Sequence, residues 1–421
     1  MKIPCATRAW LTVGLLWVVA LLNYLDRLMI TAMRDPIKAD VAMTDAQFGL
    51  LTSIFLWVYG VFSPVGGFLA DRFSRRTMIV GSLFIWSVVT WATGHMHSFA
   101  GLMGARAAMG LSEACYMPAA LALISDYHPG PTRSLATGLH MCGIYTGAAL
   151  GGIGGYVAEY QGWRASFTWF GAFGMVYALV VVLGLRDAPA TEAVATPNGL
   201  AGRADAGVGL RGALRALLAQ RAFLILLAAD ALVGIANWGV NGWLPTYIKD
   251  HFHLELGAAG MTATFYIQVA SFVGVLLGGL WADRWSSTQP RARALVPAIG
   301  FCVAGPWLFF GIGAEALAVA VAALMIYGLS RGFLDANLMP ALRAIGDQRY
   351  SATGYGVLNF VSVTMGGAMI YAGGWLKDAQ VDLARIFQAS AAGLLVVGLL
   401  LFAVKPPRAS HASAELPKFS P

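Results

Sequence analysis

The chain has 421 residues, 58% of them hydrophobic and only 12% charged, with a formal net charge of +7. Soluble domains carry about 25% charged residues, so this composition and a mean hydropathy of +0.67 exclude an ordinary soluble domain and fit a chain that crosses a bilayer many times. A pI near 9.3 would suit a nucleic-acid partner in a soluble protein, but here it reads as Lys and Arg gathered in the loops on one side of a membrane.

Apolar runs recur at residues 8–33, 46–70, 77–95, 99–125, 134–158, 164–185, 221–246, 257–281, 292–313, 316–342, 352–374 and 386–404. Most reach the ~20 residues that a spanning helix needs. None alternates with the two-residue period of a barrel strand, so the fold expected is all-α and polytopic, with twelve transmembrane helices. The first run begins as a signal peptide does, after Lys2 and Arg8. It is too long and continues into a charged pair with no small-residue cleavage site, so it reads as a retained span.

That pair lies in Asn23-Tyr24-Leu25-Asp26-Arg27. A charge at mid-membrane costs about 2.5–3.5 kcal/mol on insertion scales. Either Asp26 and Arg27 mark a helix end at the aqueous boundary, or they face a water-filled cavity inside a bundle. After the second run comes Gly67-Phe68-Leu69-Ala70-Asp71-Arg72-Phe73-Ser74-Arg75-Arg76. In the fourth run Arg106 and Glu113 are seven residues apart, which puts them on one helix face about 10.5 Å apart along the axis. That face should turn inward, as a cavity lining or as an ion pair with a neighbouring helix. The fifth run holds Gly138, Gly143, Gly147, Gly151, Gly152, Gly154 and Gly155, a small-residue stripe suited to close helix contact.

The longest polar break, 186–220, divides the chain into an N-terminal bundle (1–185) and a C-terminal bundle (221–404), with a tail at 405–421. Residues 208–219 suit a short amphipathic helix at the membrane surface. In the second half Asp230, Asn237 and Asn241 fall in the seventh run, Arg331 and Asp335 four apart in the tenth, and Asn359 in the eleventh. Asn237 and Asn359 read as substrate hydrogen-bonding groups or as polar contacts between helices. Tyr24, Tyr59, Tyr116 and Tyr145 are candidate cavity residues.

The halves echo each other. Ala70-Asp71-Arg72 returns as Ala282-Asp283-Arg284, Gly110-Leu111-Ser112 as Gly328-Leu329-Ser330, Met117-Pro118 as Met339-Pro340, and Ala136-Thr137-Gly138 as Ala352-Thr353-Gly354. The order is kept and the offset is always about half the chain. Two parallel six-helix repeats place a binding site between the halves near the midplane. Most of the 28 Lys and Arg fall on the side of the termini. Only Arg34, Lys38, Arg164, Lys249, Lys377 and Arg385 fall opposite, which predicts both termini in the cytoplasm. Cys5, Cys115, Cys142 and Cys302 have neither disulfide nor zinc spacing, and the pairs His95/His97 and His251/His253 are weak metal signals, so no metal or cofactor is expected. No nucleophile–base pairing or phosphate loop suggests an enzyme.

With these features the chain resembles the major facilitator superfamily from about residue 8 to 404. The most specific mark is the loop Gly67–Arg76, where Ser74 stands in place of the family's glycine. A weaker copy ends in Asp283-Arg284, and Arg106-Ala107-Ala108-Met109-Gly110 fits the family's Arg-x-x-x-Gly pattern. Asn23–Arg27 and Gly110-Leu111-Ser112-Glu113-Ala114 are similar to segments of the anion:cation symporters and of the spinster-like transporters. Gly162-Trp163-Arg164 and Trp243-Leu244-Pro245-Thr246-Tyr247 lean toward the symporters.

The resemblance implies a monomeric carrier in the plasma membrane, moving a small organic anion such as a sugar acid or monocarboxylate together with protons by alternating access. By resemblance Asp26 and Glu113 take the proton role, and Arg27 and Arg106 the anion role, with Tyr24, Tyr116, Asn237 and Asn359 beside the substrate. Asp71, Arg72, Arg75, Asp283 and Arg284 are expected to gate, and Arg331 and Asp335, four apart on one helix, read equally as a gate or cavity wall and as a local ion pair along it. The chemistry is consistent with these roles: desolvation favours the neutral acid while a nearby arginine favours the carboxylate, and the planar guanidinium matches a carboxylate. The alternatives are a spinster-like carrier of amphipathic lipid and a non-transporting membrane sensor.

Overall fold

The computed structural model describes residues 5–128, 132–188, 210–345 and 351–404. The side chain of Asp71, linker residues 189–209 and the tail from 405 lie outside the described residues. Twelve long helical spans follow one another, and the described residues contain no strand. Span α1 is Cys5–Leu28, prolonged by a 3-10 turn, Met29–Met33, and a short helix, Arg34–Asp40. Then come α2 (Asp45–Arg72), α3 (Arg75–Thr93), α4 (Phe99–Glu113, resumed as Tyr116–Tyr127), α5 (Arg133–Ala149, a 3-10 turn Leu150–Gly152, then Ile153–Gln161) and α6 (Trp163–Gly184). A linker helix, Leu210–Leu218, precedes α7 (Arg221–Phe252), α8 (Leu256–Ser286), α9 (Ala292–Gly311), α10 (Leu317–Ile345), α11 (Ser351–Asp378) and α12 (Leu383–Ala403).

Ten spans are long and apolar enough to cross a bilayer on their own composition; α3 and α5 are not among them. The reason is local. Helix α3 opens on Arg75 and Arg76 and buries Ser82, Ser87, Thr90 and Thr93 inside the bundle, while α5 is rich in glycine and broken by its 3-10 turn. Polar side chains facing other helices rather than lipid make both tenable. Several starts are capped. Thr44 and Gln47 form a reciprocal capping box on α2, and Ser74, Ser98 and Asp382 accept from the first turns of α3, α4 and α12; such caps hold orphan N–H groups that lipid cannot satisfy.

The sequence repeat reappears as a packing repeat. In the first half α1 packs on α5, α2 on α4 and α3 on α6; in the second, α7 packs on α11, α8 on α10 and α9 on α12. The echoed glycines explain one of these pairs. A Cβ on Gly110 of α4 would stand 2.6 Å from the Phe55 carbonyl of α2, and one on Gly328 of α10 would stand 2.4 Å from the Ile267 carbonyl of α8. Both positions need a residue without a side chain for the helices to approach.

The halves meet along α2–α11 and α5–α8, two seams that the repeat exchanges. At one end the seams are closed. The Asp378 carboxylate accepts from the Asp45 and Ala46 amides at the start of α2, at 2.8 and 2.7 Å. Lys249 pairs with Asp35 at 2.6 Å, and the Glu159 carboxylate accepts from the Gly257 amide at 3.0 Å. Further in, Ser53 donates to the Gly367 carbonyl, Trp57 to the Thr364 carbonyl, and Thr264 to the Ala149 carbonyl. The hydrogen bonds across the halves end near mid-length with Tyr145 and Asp335, 3.0 Å apart. Toward the other end, where Arg72 and Asp283 lie, no hydrogen bond or ion pair among the described residues crosses between the halves.

Candidate functional site

Residues 23 and 27 are one helical turn apart on α1 and share a face. From that face Arg27 Nη2 donates to Asn23 Oδ1 at 3.3 Å and to Glu113 Oε2 at 2.8 Å. Glu113 can be reached because it ends the first segment of α4: the helix breaks at Ala114 and Cys115 before it resumes. On the same helix Arg106 lies alongside, with Nη2 3.5 Å from the Arg27 carbonyl and Nη1 3.3 Å from Met109 Sδ. The Phe55 ring of α2 lies under both guanidinium groups, 4.7 Å from Arg27 and 4.8 Å from Arg106. Tyr24 and Tyr59 flank Arg27 at 4.6 and 4.7 Å. Asp26, on the other side of α1, receives the Thr90 hydroxyl of α3 at 3.4 Å.

All four charged groups are buried, with Arg27 the most exposed at 4%. They are therefore inside the bundle, and the helix-end reading of Asp26 and Arg27 does not hold. Two cations and two carboxyl groups are packed together, and among the described residues Asp26 Oδ1, Glu113 Oε1, Arg27 Nε and Arg106 Nε have no hydrogen-bond partner. A water-sized void touches both arginines, lined also by Thr31, Thr52, Trp238 and Asn241 from the two halves.

The remaining predicted residues separate into groups. Tyr24 joins the constellation. Tyr116 does not line the cavity: it is 1% exposed in the core of α1–α6, and its hydroxyl donates to the Leu16 carbonyl at 3.0 Å. Asn237 accepts from Asn241 one turn on, at 3.0 Å, a contact within α7 and not between helices. Asn359 is half-buried on α11. Among the gate residues, Arg72 covers the Phe68 ring at 4.4 Å and Arg75 pairs with Asp126. Asp283 pairs with Arg293 at 2.9 Å, and Arg284 is exposed. These contacts all stay within one half. Arg331 and Asp335 pair along α10 at 3.6 Å, and it is Asp335 that reaches across to Tyr145. Phe55, Thr90 and Asp378 were not singled out from sequence. An apolar ring, a mid-helix threonine and a loop-side carboxylate are ordinary in such a chain, and their partners are distant in sequence.

The family model of the Major Facilitator Superfamily matches residues 16–371. An MFS-type efflux pump of Mycolicibacterium smegmatis is 27% identical over 94% of this chain and 92% of that protein. A probable sulfoacetate transporter, SauU, of Cupriavidus necator is 26% identical over 85% of this chain and 86% of that one. Among solved structures, a bacterial homologue of the human lysosomal transporter Spinster, inward-facing and unoccupied, superposes with a TM-score of 0.74 over 96% of both chains at 21% identity, a likeness that speaks for the fold. With the family model covering most of the chain and a twelve-span fold to match, this chain belongs to the Major Facilitator Superfamily and is an integral, multi-pass membrane transport protein.

Proposed function

We propose that this transporter moves a small organic anion by alternating access, in symport with protons. One observation carries the reading: Asp26, Arg27, Arg106 and Glu113 are buried together beside the seam between the halves, with Arg27 bound to Glu113. An ionised Glu113 holds Arg27, and a protonated one releases it. Protons on both carboxyl groups leave two uncompensated guanidinium charges in a poorly solvated site, where an anion is attracted strongly. Loss of the protons restores the internal pairing and weakens the hold on the anion. The similarity to a probable sulfoacetate transporter supports an anionic cargo.

If the Lys and Arg bias sets the termini in the cytoplasm, the end tied by Asp378, Lys249 and Glu159 is the outer one, and the conformation is open inward. The protein in proteoliposomes, supplied with sulfoacetate, glucuronate or 3-phenylpropionate, then concentrates one of them under an inward proton gradient. Asp26→Asn and Glu113→Gln abolish that accumulation but keep exchange of labelled for unlabelled substrate, because a neutral amide imitates the protonated acid. Accumulation at the normal level by both variants would remove these carboxyls from coupling. The similarity to a sphingosine-1-phosphate transporter of Mus musculus, of which the chain spans about half, keeps a lipid carrier as the second reading, and transfer of lysolipid in preference to all three anions would establish it.

A further inference from the structure

Arg27 and Arg106 are nearly sealed from water, and Arg27 is already engaged by Glu113. A third arginine is placed differently. Helix α10 carries Tyr327, Arg331 and Asp335 four residues apart, a single stripe along one face. The side chains of Arg331 and Asp335 are 16% and 36% exposed. Asp335 is bonded to Tyr145 of the opposite half, so this exposure is to the space between the halves and not to lipid. The Arg331–Asp335 separation of 3.6 Å exceeds a hydrogen-bond length, and an exposed pair at this spacing contributes little. Among the described residues Arg331 Nη1 is buried without a hydrogen-bond partner, as is the hydroxyl of Tyr327. Tyr24 and Tyr145, both from the other half, and Tyr327 are electrostatic neighbours of the Arg331 guanidinium. Tyr24 also stacks on Arg27.

We propose that, in this conformation, Arg331 receives the anionic group of the substrate, a carboxylate or sulfonate, ahead of the sealed Arg27 and Arg106, and that this group displaces Asp335 from it beside Tyr145. This rests on the reading that the cargo is an anion. The unpartnered Nη1 supplies the second donor that a bidentate contact needs. Asp335 is then the internal competitor of the substrate, and its bond to Tyr145 ties occupancy of Arg331 to the innermost contact between the halves.

The test is binding of sulfoacetate, glucuronate and 3-phenylpropionate to the purified full chain by calorimetry at one pH, with melting temperatures as the check on folding. Arg331→Gln weakens whichever anion binds by about ten- to a hundred-fold, and Arg331→Lys, which keeps the charge but not the fork, lies between. Asp335→Asn tightens it several-fold, because the competing charge is gone. A merely structural ion pair would not produce that opposite sign. Arg331→Gln or Arg331→Lys that folds and binds as tightly as the natural protein overturns the assignment while leaving the anion reading in place. A well-folded Asp335→Asn with weaker binding overturns the displacement. If the natural protein binds none of the three anions but does bind lysolipid, both this proposal and the anion reading fall.

Discussion

Arg27 shows how a residue that is costly alone becomes stable in company. Its charge is balanced by Glu113 at 2.8 Å, and its faces are covered by Tyr24, Phe55 and Tyr59. Cation–π contacts of this kind are worth up to about 2 kcal/mol each when desolvated. Removing one partner of a buried pair is costlier than removing both, since the survivor is left charged and unpaired. Arg27→Met is therefore expected to destabilise the protein by about 3–5 kcal/mol, whereas the double variant Arg27→Met/Glu113→Gln regains much of that loss. Thermal melts of the wild type, both single variants and the double variant in one detergent measure the coupling. Additive effects would mean that the 2.8 Å contact contributes nothing to the fold. Asp26 is the contrasting case: among the described residues its side-chain hydrogen bond is to a threonine hydroxyl at 3.4 Å, and no cation bonds it.

At the scale of elements, α5 is the clearest example of sequence becoming contact. Its glycines were expected to form one stripe; they form two. A Cβ on Gly143 or Gly147 would meet the carbonyl of Trp17 or Leu21 on α1, whereas one on Gly152 would stand 2.3 Å from the carbonyl carbon of Gly260 on α8, in the other half. Gly151 and Gly154 stay on the α1 side, against Leu28 and Met29, while Gly152 and Gly155 face the start of α8, so the two stripes run side by side through the 3-10 turn Leu150–Gly152. Gly152→Ala thus has no room at the closed end and is expected to push α5 away from α8. Spin labels at Tyr160 and Glu255 would report it as a longer distance. Gly138→Ala, whose added methyl meets nothing within 4 Å, should leave the distance unchanged.

At the scale of the molecule, the two halves form a lever closed at one end. The closure has a polar rim over an apolar seam: Asp378 caps the first turn of α2 from the opposite half, while Lys249 reaches Asp35, a residue beside Arg34 in the cluster that also holds Lys38 and Asp45, and Phe48 meets Trp243 across the halves beneath them. Polar contacts at a rim exchange readily with water, which suits a gate that must open and re-form. A helix cap is worth about 0.5–2 kcal/mol, so Asp378→Ala should shift the balance between closed and open at this end by about two- to thirty-fold. Labels at Ala42 and Gln380 would show a larger fraction of long distances. An unchanged distribution would mean that the cap does not hold this end.

Sequence by itself determined that the chain spans a membrane many times in two related halves, because hydrocarbon penalises polar groups so heavily that span lengths and loop charges are written in composition. It also drew attention to Asp26, Arg27, Arg106, Glu113, Arg331 and Asp335, since a charge inside an apolar run must be compensated by a partner or by water. Only the tertiary structure decided which charges meet. Arg27 and Glu113 are 86 residues apart, Tyr145 and Asp335 190, and Asp378 and Asp45 333; periodicity orients a side chain about its own helix but does not say which helix stands opposite. For the same reason Tyr116, indistinguishable from Tyr24 in sequence, is in the core of one half, and the expected gate arginines Arg72 and Arg75 bond within their own half. The closing of one end could not be read from sequence at all, because it depends on how two rigid halves are tilted against each other, and a repeat that builds both halves alike is compatible with either tilt.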